Sequence, residues 1–479
     1  MPPESKLALN PRVSVFKHKG GMYLFDPFTR TCASINEEML AFATNSEVSN
    51  SYDNVSSSSR KGLMKITKQL RKLDILIEQG ATVKDGECTP PDGVGSDMYL
   101  AIFVTEKCNL RCAYCYANGG DSGKTISRDI WRLAMDYYFS TLLNSNTLKR
   151  GKHKSVDLSI HGGGEPTVEF DTVKEIVAGF SERAHAVGLQ PSIGMGSNGT
   201  YGEDVQRWII ENNIDVNISL DGPQYIQNHL RPFRSGRPSY DRVANNIKGL
   251  VKAGRSVSVR ATVTDEVLGA MEQTIELANQ LGIASVHFEP VTLTGRCANT
   301  GVARPDEEQF AEKFLKCFLL GLKHNIEVTY SGMCCFQSPR KRFCAACGEH
   351  FCVTPNGDIT TCYEVLYSSD PASSAFFIGK IDPVQSRVML DHVRMKKLKQ
   401  RVAENIEACK NCFLRWQCAG DCPVKSFKYS NRDLYSPDPY RCRIADRINK
   451  QLIVWLADGN IKPRDDKKAQ VFSLNKNVY

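Results

Sequence analysis

The residues of this 479-residue chain best placed to do chemistry are three cysteines, Cys108-x3-Cys112-x2-Cys115, in the segment Val104 to Tyr116. Three thiolates on one short loop can hold three irons of a [4Fe–4S] cube and leave the fourth iron open to bind and reduce a small molecule. The spacing points to radical chemistry. A structural zinc would need a fourth ligand close by, which this loop lacks. Further along, His161-Gly-Gly-Gly-Glu-Pro166 exposes bare backbone at glycines 162 to 164, and Glu165 can accept from a cationic amino group. Ser197 and Asn198 in Gly196-Ser-Asn-Gly199, and Ser219 and Asp221 in Ser219-Leu-Asp-Gly-Pro223, offer the hydrogen bonds a ribose or an amino-acid end requires. Taken singly, Asn-Gly and Asp-Gly-Pro are turn formers first.

These segments follow a common plan. Strands read at Met98–Val104, Val156–Ile160, Ser192–Met195, Val216–Leu220, Val257–Val263 and Val286–Val291. Amphipathic runs such as Ile130–Leu143, Thr172–Ala186, Tyr240–Val251 and Met271–Leu281 read as helices between them. Repeated strand-then-helix units predict an α/β fold, a parallel sheet closed or partly closed into a six-unit (β/α)6 barrel of TIM type. In such barrels functional loops follow the carboxyl ends of the strands, and every motif named above falls there.

The Cys-x3-Cys-x2-Cys loop, with the aromatic Tyr114 before its third cysteine, and the Gly163-Gly164-Glu165-Pro166 loop resemble the radical S-adenosylmethionine enzymes over residues 97–295. The resemblance implies that Cys108, Cys112 and Cys115 hold a [4Fe–4S] cluster whose open iron chelates S-adenosylmethionine. Electron transfer then yields a 5′-deoxyadenosyl radical that abstracts a substrate hydrogen atom. Residues 334–450 resemble the SPASM extension, which holds two auxiliary [4Fe–4S] clusters: Cys347-x9-Gly357-x4-Cys362, Cys409-x2-Cys412-x5-Cys418-x3-Cys422, then Cys442. By that analogy the nearer cluster uses Cys347, Cys362, Cys422 and one further cysteine, with Cys334, Cys335, Cys344 and Cys352 competing for the place. The outer one uses Cys409, Cys412, Cys418 and Cys442. Arg231 and Arg260 could each pair a carboxylate of S-adenosylmethionine or of substrate, or serve as surface charge. Glu364, with His161 and Glu289, is a candidate to face the cavity.

Eighteen cysteines, eleven of them between Cys334 and Cys442, point to metal rather than disulfides in a reducing compartment. The isolated Cys32, Cys88, Cys297 and Cys317 read as small buried apolar residues. The absence of an 18-residue apolar run, and a start without a basic head and apolar segment, predict a cytoplasmic chain with no membrane span. A net charge of +8 is mild for this length and argues against a nucleic-acid partner.

Residues 1–80 read as three short strands around Gly20-Gly21, a helix from Asn36, and a second helix carrying Leu63, Ile66, Leu70, Leu73 and Leu76. This resembles the winged-helix-like recognition element that binds leader peptides; a structural cap is the plainer alternative. Residues 81–96 read as a linker, 296–333 as a helical bridge and 451–479 as a tail. The whole order resembles maturases that install thioether or carbon–carbon crosslinks in ribosomal precursor peptides, with a leader bound at the amino-terminal unit and a flavodoxin- or ferredoxin-type reductant. Anaerobic sulfatase maturases, which form formylglycine, are the alternative, although these usually carry Asp directly after the cysteine that follows the SPASM glycine. Here Tyr363 and Glu364 follow Cys362. An iron–sulfur electron carrier is a third reading, which leaves the Gly163–Pro166 loop without a purpose.

Overall fold

Among the residues that the computed structural model describes, 7–44, 57–81, 99–144, 155–333, 339–463 and 472–474, an amino-terminal unit precedes one large mixed sheet. The unit comprises β1 (Leu7–Leu9), β2 (Ser14–His18), β3 (Gly21–Asp26), β4 (Thr31–Ile35) and β5 (Leu76–Glu78), with helices Glu37–Thr44 and Ser57–Lys72. Strands β2, β3 and β4 form an antiparallel sheet, and β1 pairs with β5. The leucine spacing carries the second helix through Leu76, but the structure ends it at Lys72. Asp74 takes a left-handed φ of 55° and the Ile75 N–H returns to the Leu70 carbonyl at 2.9 Å, which terminates the helix and sends Leu76 into β5. Leu70 and Leu76 still share one small core with Val13, Leu24, Ile35 and Ile75. The unit rests on the carboxyl-terminal region through Phe16 on Phe413, Phe28 on Trp416, and the Gln417 Nε2 bond to the Pro27 carbonyl. Most of the linker expected at 81–96, and the serine-rich stretch up to residue 56, lie outside the described residues.

The large sheet begins with β6 (Tyr99–Phe103), β7 (Ser155–His161), β8 (Gln190–Ser197), β9 (Asp215–Ser219), β10 (Ser258–Val263), β11 (Ser285–Pro290) and β12 (Glu327–Thr329), each parallel to its neighbour. On the other side of β6 lie β13 (His350–Val353), also parallel to it, and then the antiparallel β14 (Asp358–Thr360), β15 (Phe377–Asp382) and β16 (Arg387–Leu390). The six expected β/α units are present as β6 to β11, and the barrel is open: β6 ladders to β13 rather than to β11.

Side-chain alternation fixes the two faces. Val156, Leu158 and Ile160 on β7, Ile218 on β9, Val259 and Ala261 on β10, and Val286 and Phe288 on β11 are buried against helices that carry Trp131, Met135, Ile176, Phe180, Ile247, Ile275 and Phe314. The opposite face carries Ser159, His161, Asn217, Ser219, Arg260, Thr262 and His287, a polar lining instead of the aliphatic filling of a closed barrel. That face is curved. Five strand spacings of about 4.8 Å would hold the β6 and β11 ends about 24 Å apart in a flat sheet. Yet Arg296, just after β11, bonds through its N–H to the Cys115 carbonyl at 3.0 Å. No helix among the described residues is long and apolar enough to cross a membrane.

Candidate active site

The loop after β6 is held by its own backbone against the end of the helix Gln224–Leu230 on one flank and the loop after β7 on the other. Arg111 N–H bonds to the Pro232 carbonyl at 2.8 Å, Ala113 N–H to the Leu230 carbonyl at 2.9 Å, and Arg234 N–H to the Asn109 carbonyl at 2.8 Å. On its other flank Gly164 N–H reaches the Thr105 carbonyl at 3.0 Å and Glu165 N–H the Lys107 carbonyl at 2.8 Å. That approach requires glycine, because a Cβ on residue 164 would stand 1.8 Å from the Lys107 carbonyl oxygen. The triple-glycine loop and the triple-cysteine loop are therefore one piece of architecture.

The three thiols are buried or half-buried, and burial pushes Cys108 up to about 11 and Cys112 up to about 12, with the positive Arg231 pulling both back. Gly119 N–H points at the Cys115 sulfur at 3.3 Å, and the Asn198 side-chain amide lies 4.0 Å from that of Cys108. Burial that disfavours bare thiolates leaves a cation such as iron to stabilise them. The sequence did not single out Arg296, which sends Nη1 to the Cys112 carbonyl at 3.0 Å and Nη2 to the Gly119 carbonyl at 3.1 Å, or Arg111, which bonds Gly119 at 2.9 Å. Gly295, at φ 64°, brings Arg296 there; a Cβ at 295 would lie 2.5 Å from the Cys115 carbonyl oxygen. The only sequence cue was a Gly-Arg pair shortly after the sixth strand.

Two candidate ligand groups prove to be internal supports. Asp221 is fully buried, accepts the Tyr114 hydroxyl and the Thr262 N–H (3.0 Å), and has no face free for a ribose. Its expected contact with a ligand gives way to holding the cysteine loop. Glu165 accepts from Thr167 N–H and hydroxyl, the Ser197 hydroxyl (2.9 Å) and the Asn198 N–H (2.6 Å), so Ser197 and Asn198 also serve the scaffold. Three of these bonds fall on Oε1, which leaves room on Oε2 for one more donor, as an amino group would supply. Arg231, 8 % exposed, donates Nη1 to the Tyr114 oxygen at 2.7 Å, while its buried Nε has no partner. An orphaned guanidinium donor at this mouth fits a carboxylate. The donor set at this mouth thus fits the amino and carboxyl ends of S-adenosylmethionine beside a three-thiolate cube.

The remaining cysteines separate into two quartets. Cys344 is raised by burial and then by Cys347 and Cys422; Cys362 by burial, Glu364 and then Cys422, with Cys344 also acting. These four neighbours are Cys344, Cys347, Cys362 and Cys422. Cys418 is raised by burial, Asp421 and then Cys442, Cys412 and Cys409, which marks the second quartet. A cavity of about 660 Å³ opens over it, lined by Cys409, Cys412, Cys418 and Cys442 together with Lys17 and Lys450. Among the described residues no group of three or more His, Cys, Asp or Glu side chains is placed to hold a single metal ion. Cys352, a competitor for the fourth place by sequence, sits instead on β13 in an apolar cluster with Ala101, Phe103 and Leu366, and burial alone shifts it. Cys334 and Cys335 lie outside the described residues.

Between the cysteine loop and the first quartet stands Glu364. Its carboxylate lies 3.9 Å from Lys425 Nζ, its Oε2 is buried without a partner, and its charge raises the thiols of Cys362 and Cys422 and the phenol of Tyr116. Lys425 pairs at 2.5 Å with Glu289 on β11, which Arg441 also meets at 2.7 Å while bonding Asp421 at 2.8 and 3.0 Å. This buried network ties the parallel sheet to the cysteine-rich region. Opposite it, the His161 ring stacks on Tyr363 at 4.7 Å, and Arg260 projects, exposed, from the middle of β10.

Residues 102–278 match the Radical SAM superfamily. The chain is 28% identical over 189 residues to the sporulation killing factor maturation protein SkfB of Bacillus subtilis, covering 37% of this chain and 40% of SkfB. It is 20% identical over 340 residues to the serine-type anaerobic sulfatase-maturating enzyme of Klebsiella aerogenes, covering 66% and 77%. A protein of Methanocaldococcus jannaschii, MJ0907, is 30% identical over 196 residues, of which this chain spans 62% of the length. The solved structure of anSMEcpe with bound AdoMet superposes with a TM-score of 0.60 at 15% identity, over 76% of this chain and 96% of that one, a likeness of fold. The three-cysteine loop, the glycine loop and most of the open parallel sheet lie within the matched stretch, so residues 102–278 form a radical SAM domain.

Proposed function

We propose that the protein is a radical S-adenosylmethionine maturase that abstracts a hydrogen atom from a ribosomal precursor peptide and installs a thioether or carbon–carbon crosslink. The observation that carries this reading is the pairing of a three-thiol loop at the strand ends with two separate thiol quartets behind it. When bound, the open cube and S-adenosylmethionine supply the hydrogen-abstracting chemistry. Cys108, Cys112 and Cys115 hold that cube, while Tyr114, Asp221, Arg231 and Arg296 fix the loop that carries them. Gly163, Gly164, Glu165 and Pro166 present the surface for the methionine amino end, and Arg231 with Ser219 the surface for its carboxylate. The quartet Cys344, Cys347, Cys362 and Cys422, and the quartet Cys409, Cys412, Cys418 and Cys442, would each hold an auxiliary [4Fe–4S] cluster able to take the electron released when a substrate radical is oxidised. Glu364, between the first quartet and the cysteine loop, is positioned to take a substrate proton.

A polar, open sheet face suits an extended peptide, and the amino-terminal unit offers a separate surface for its leader. The similarity to SkfB, a maturation protein, agrees with a peptide partner. Anaerobic sulfatase maturation is the second reading, supported by the 77% coverage of the Klebsiella enzyme. The test is anaerobic incubation of reconstituted protein with peptides encoded beside its gene. Loss of two hydrogens with fragmentation blocked between two residues supports a crosslink; a product that reacts with a hydrazide as an aldehyde supports formylglycine and overturns the first reading.

A further inference from the structure

The helix-free face of the sheet holds a cation, Arg260, whose charge reaches the Glu289 carboxylate but which no carboxylate among the described residues pairs directly. Arg260 stands opposite Ser219 on β9 and His287 on β11, so the three side chains share one row across that face. Its side chain is exposed, and among the described residues no ion pair or side-chain hydrogen bond engages its guanidinium. The nearby carboxylates are committed elsewhere. Glu289 is held by Lys425 and Arg441, Glu364 faces Lys425, and Asp215 pairs with Arg255 at 3.2 Å. Glu327 lies one row toward the amino ends of the strands, beside Ser285, and Asp157 lies lower still, beside Ser192. His161 is pushed down to about 4 by burial and is neutral, so it does not compete for an anion.

One strand beyond Ser219 and Asn217 the sheet is bare. On β8 the residues facing the same way are Gly194 and Gly196, paired with Asp215 and Asn217, and the His161 ring lies 3.5 Å from where a Cβ on Gly196 would stand. The result is a strip of β8 without side chains of its own, walled on one flank by the His161–Tyr363 stack and on the other by Asn217 and Ser219, with Arg260 across from Ser219. Such a strip admits a main chain or a short side chain close to the strand backbone, and the guanidinium beyond Ser219 matches a carboxylate by a two-point fork.

We propose that this strip is a substrate subsite that seats an acidic side chain, Asp or Glu, of the peptide on Arg260. The inference rests on the peptide-maturase reading and adds to it the chemical class of one substrate residue. The acidic residue anchors the peptide beside the loop that carries the open iron, and the side chain to be attacked is a neighbour of that anchor.

The test is selection from a random peptide library displayed on its own messenger RNA, panned under anaerobic conditions on iron-reconstituted full-length protein with S-adenosylmethionine present. The wild type should enrich Asp or Glu over Asn or Gln at one position by about tenfold, the margin of a charge-assisted bond over a neutral one. Arg260→Gln should lose that preference, and Arg260→Lys, which keeps the charge without the fork, should retain part of it. Absence of any acidic preference in the wild type, or equal preference in Arg260→Gln, overturns the inference. So does a preference that appears only when S-adenosylmethionine is left out, because Arg260 would then be serving that ligand's carboxylate. Formation of 5′-deoxyadenosine by the same wild-type preparation reports on the parent reading separately, so peptides without acidic bias from a cleaving preparation overturn this inference alone.

Discussion

Tyr114, the aromatic residue inside the triple-cysteine loop, donates its hydroxyl to Asp221 at the end of the fourth strand, and the same oxygen accepts from Arg231 at 2.7 Å. The loop is thereby fastened to the sheet by a buried triad whose other two members lie 107 and 117 residues from Tyr114 in sequence. Tyr114→Phe leaves Asp221 and Arg231 without that partner and should cost about 1–3 kcal/mol. Thermal unfolding of the two proteins side by side checks this, and an unchanged midpoint contradicts it.

Gly164→Ala places a methyl group where the Lys107 carbonyl stands, so the glycine loop must move away from the cysteine loop. Affinity for S-adenosylmethionine should fall at least about tenfold, or about 1.4 kcal/mol. Equilibrium dialysis on reconstituted protein gives the number; wild-type affinity shows that the loop contact is unimportant.

The two quartets should load independently. Replacing Cys418 and Cys442 by Ala should remove about four of about twelve irons per chain, while the paramagnetic signal of the quartet containing Cys344 persists. Iron analysis and low-temperature resonance spectra decide it. Full iron retention means that the second quartet is not a metal site.

Burial alone would raise the Glu289 carboxyl, but Lys425 and Arg441 outweigh it and hold the group well below the ordinary carboxylate range. A folded value below the unfolded one gives stability that is complete above the ordinary value of 4.5 and is lost as pH falls through the folded value. Glu289→Gln strands two buried cations and should be less stable by about 3–5 kcal/mol at neutral pH. That deficit should shrink on acidification, because the wild type then protonates the same group. Denaturant titrations at several pH values measure it, and a deficit that is constant with pH contradicts the assignment.

What the sequence made legible was local. Cysteine spacing, the glycine run and the strand-helix alternation are properties of short windows, and the structure keeps them together. Roles decided by distant partners were not legible. Asp221 looks like a ligand contact until Tyr114 and Thr262 are seen to occupy it, and Arg296 looks like surface charge until the sheet curls its strand end back onto Cys112. Cys352 differs from Cys344 only by lying on β13, whose pairing with β6 turns its thiol into an apolar cluster. The small-core leucines kept helical spacing past Lys72 because a strand residue, Leu76, buries on the same side.

The central claim, an iron left open by Cys108, Cys112 and Cys115 to cleave S-adenosylmethionine, is tested most directly by 5′-deoxyadenosine formation under dithionite in anaerobically reconstituted protein. The account predicts product from the wild type and none from Cys112→Ala. Product from the Cys112→Ala protein, or none from a wild type shown to carry its full iron, would contradict it.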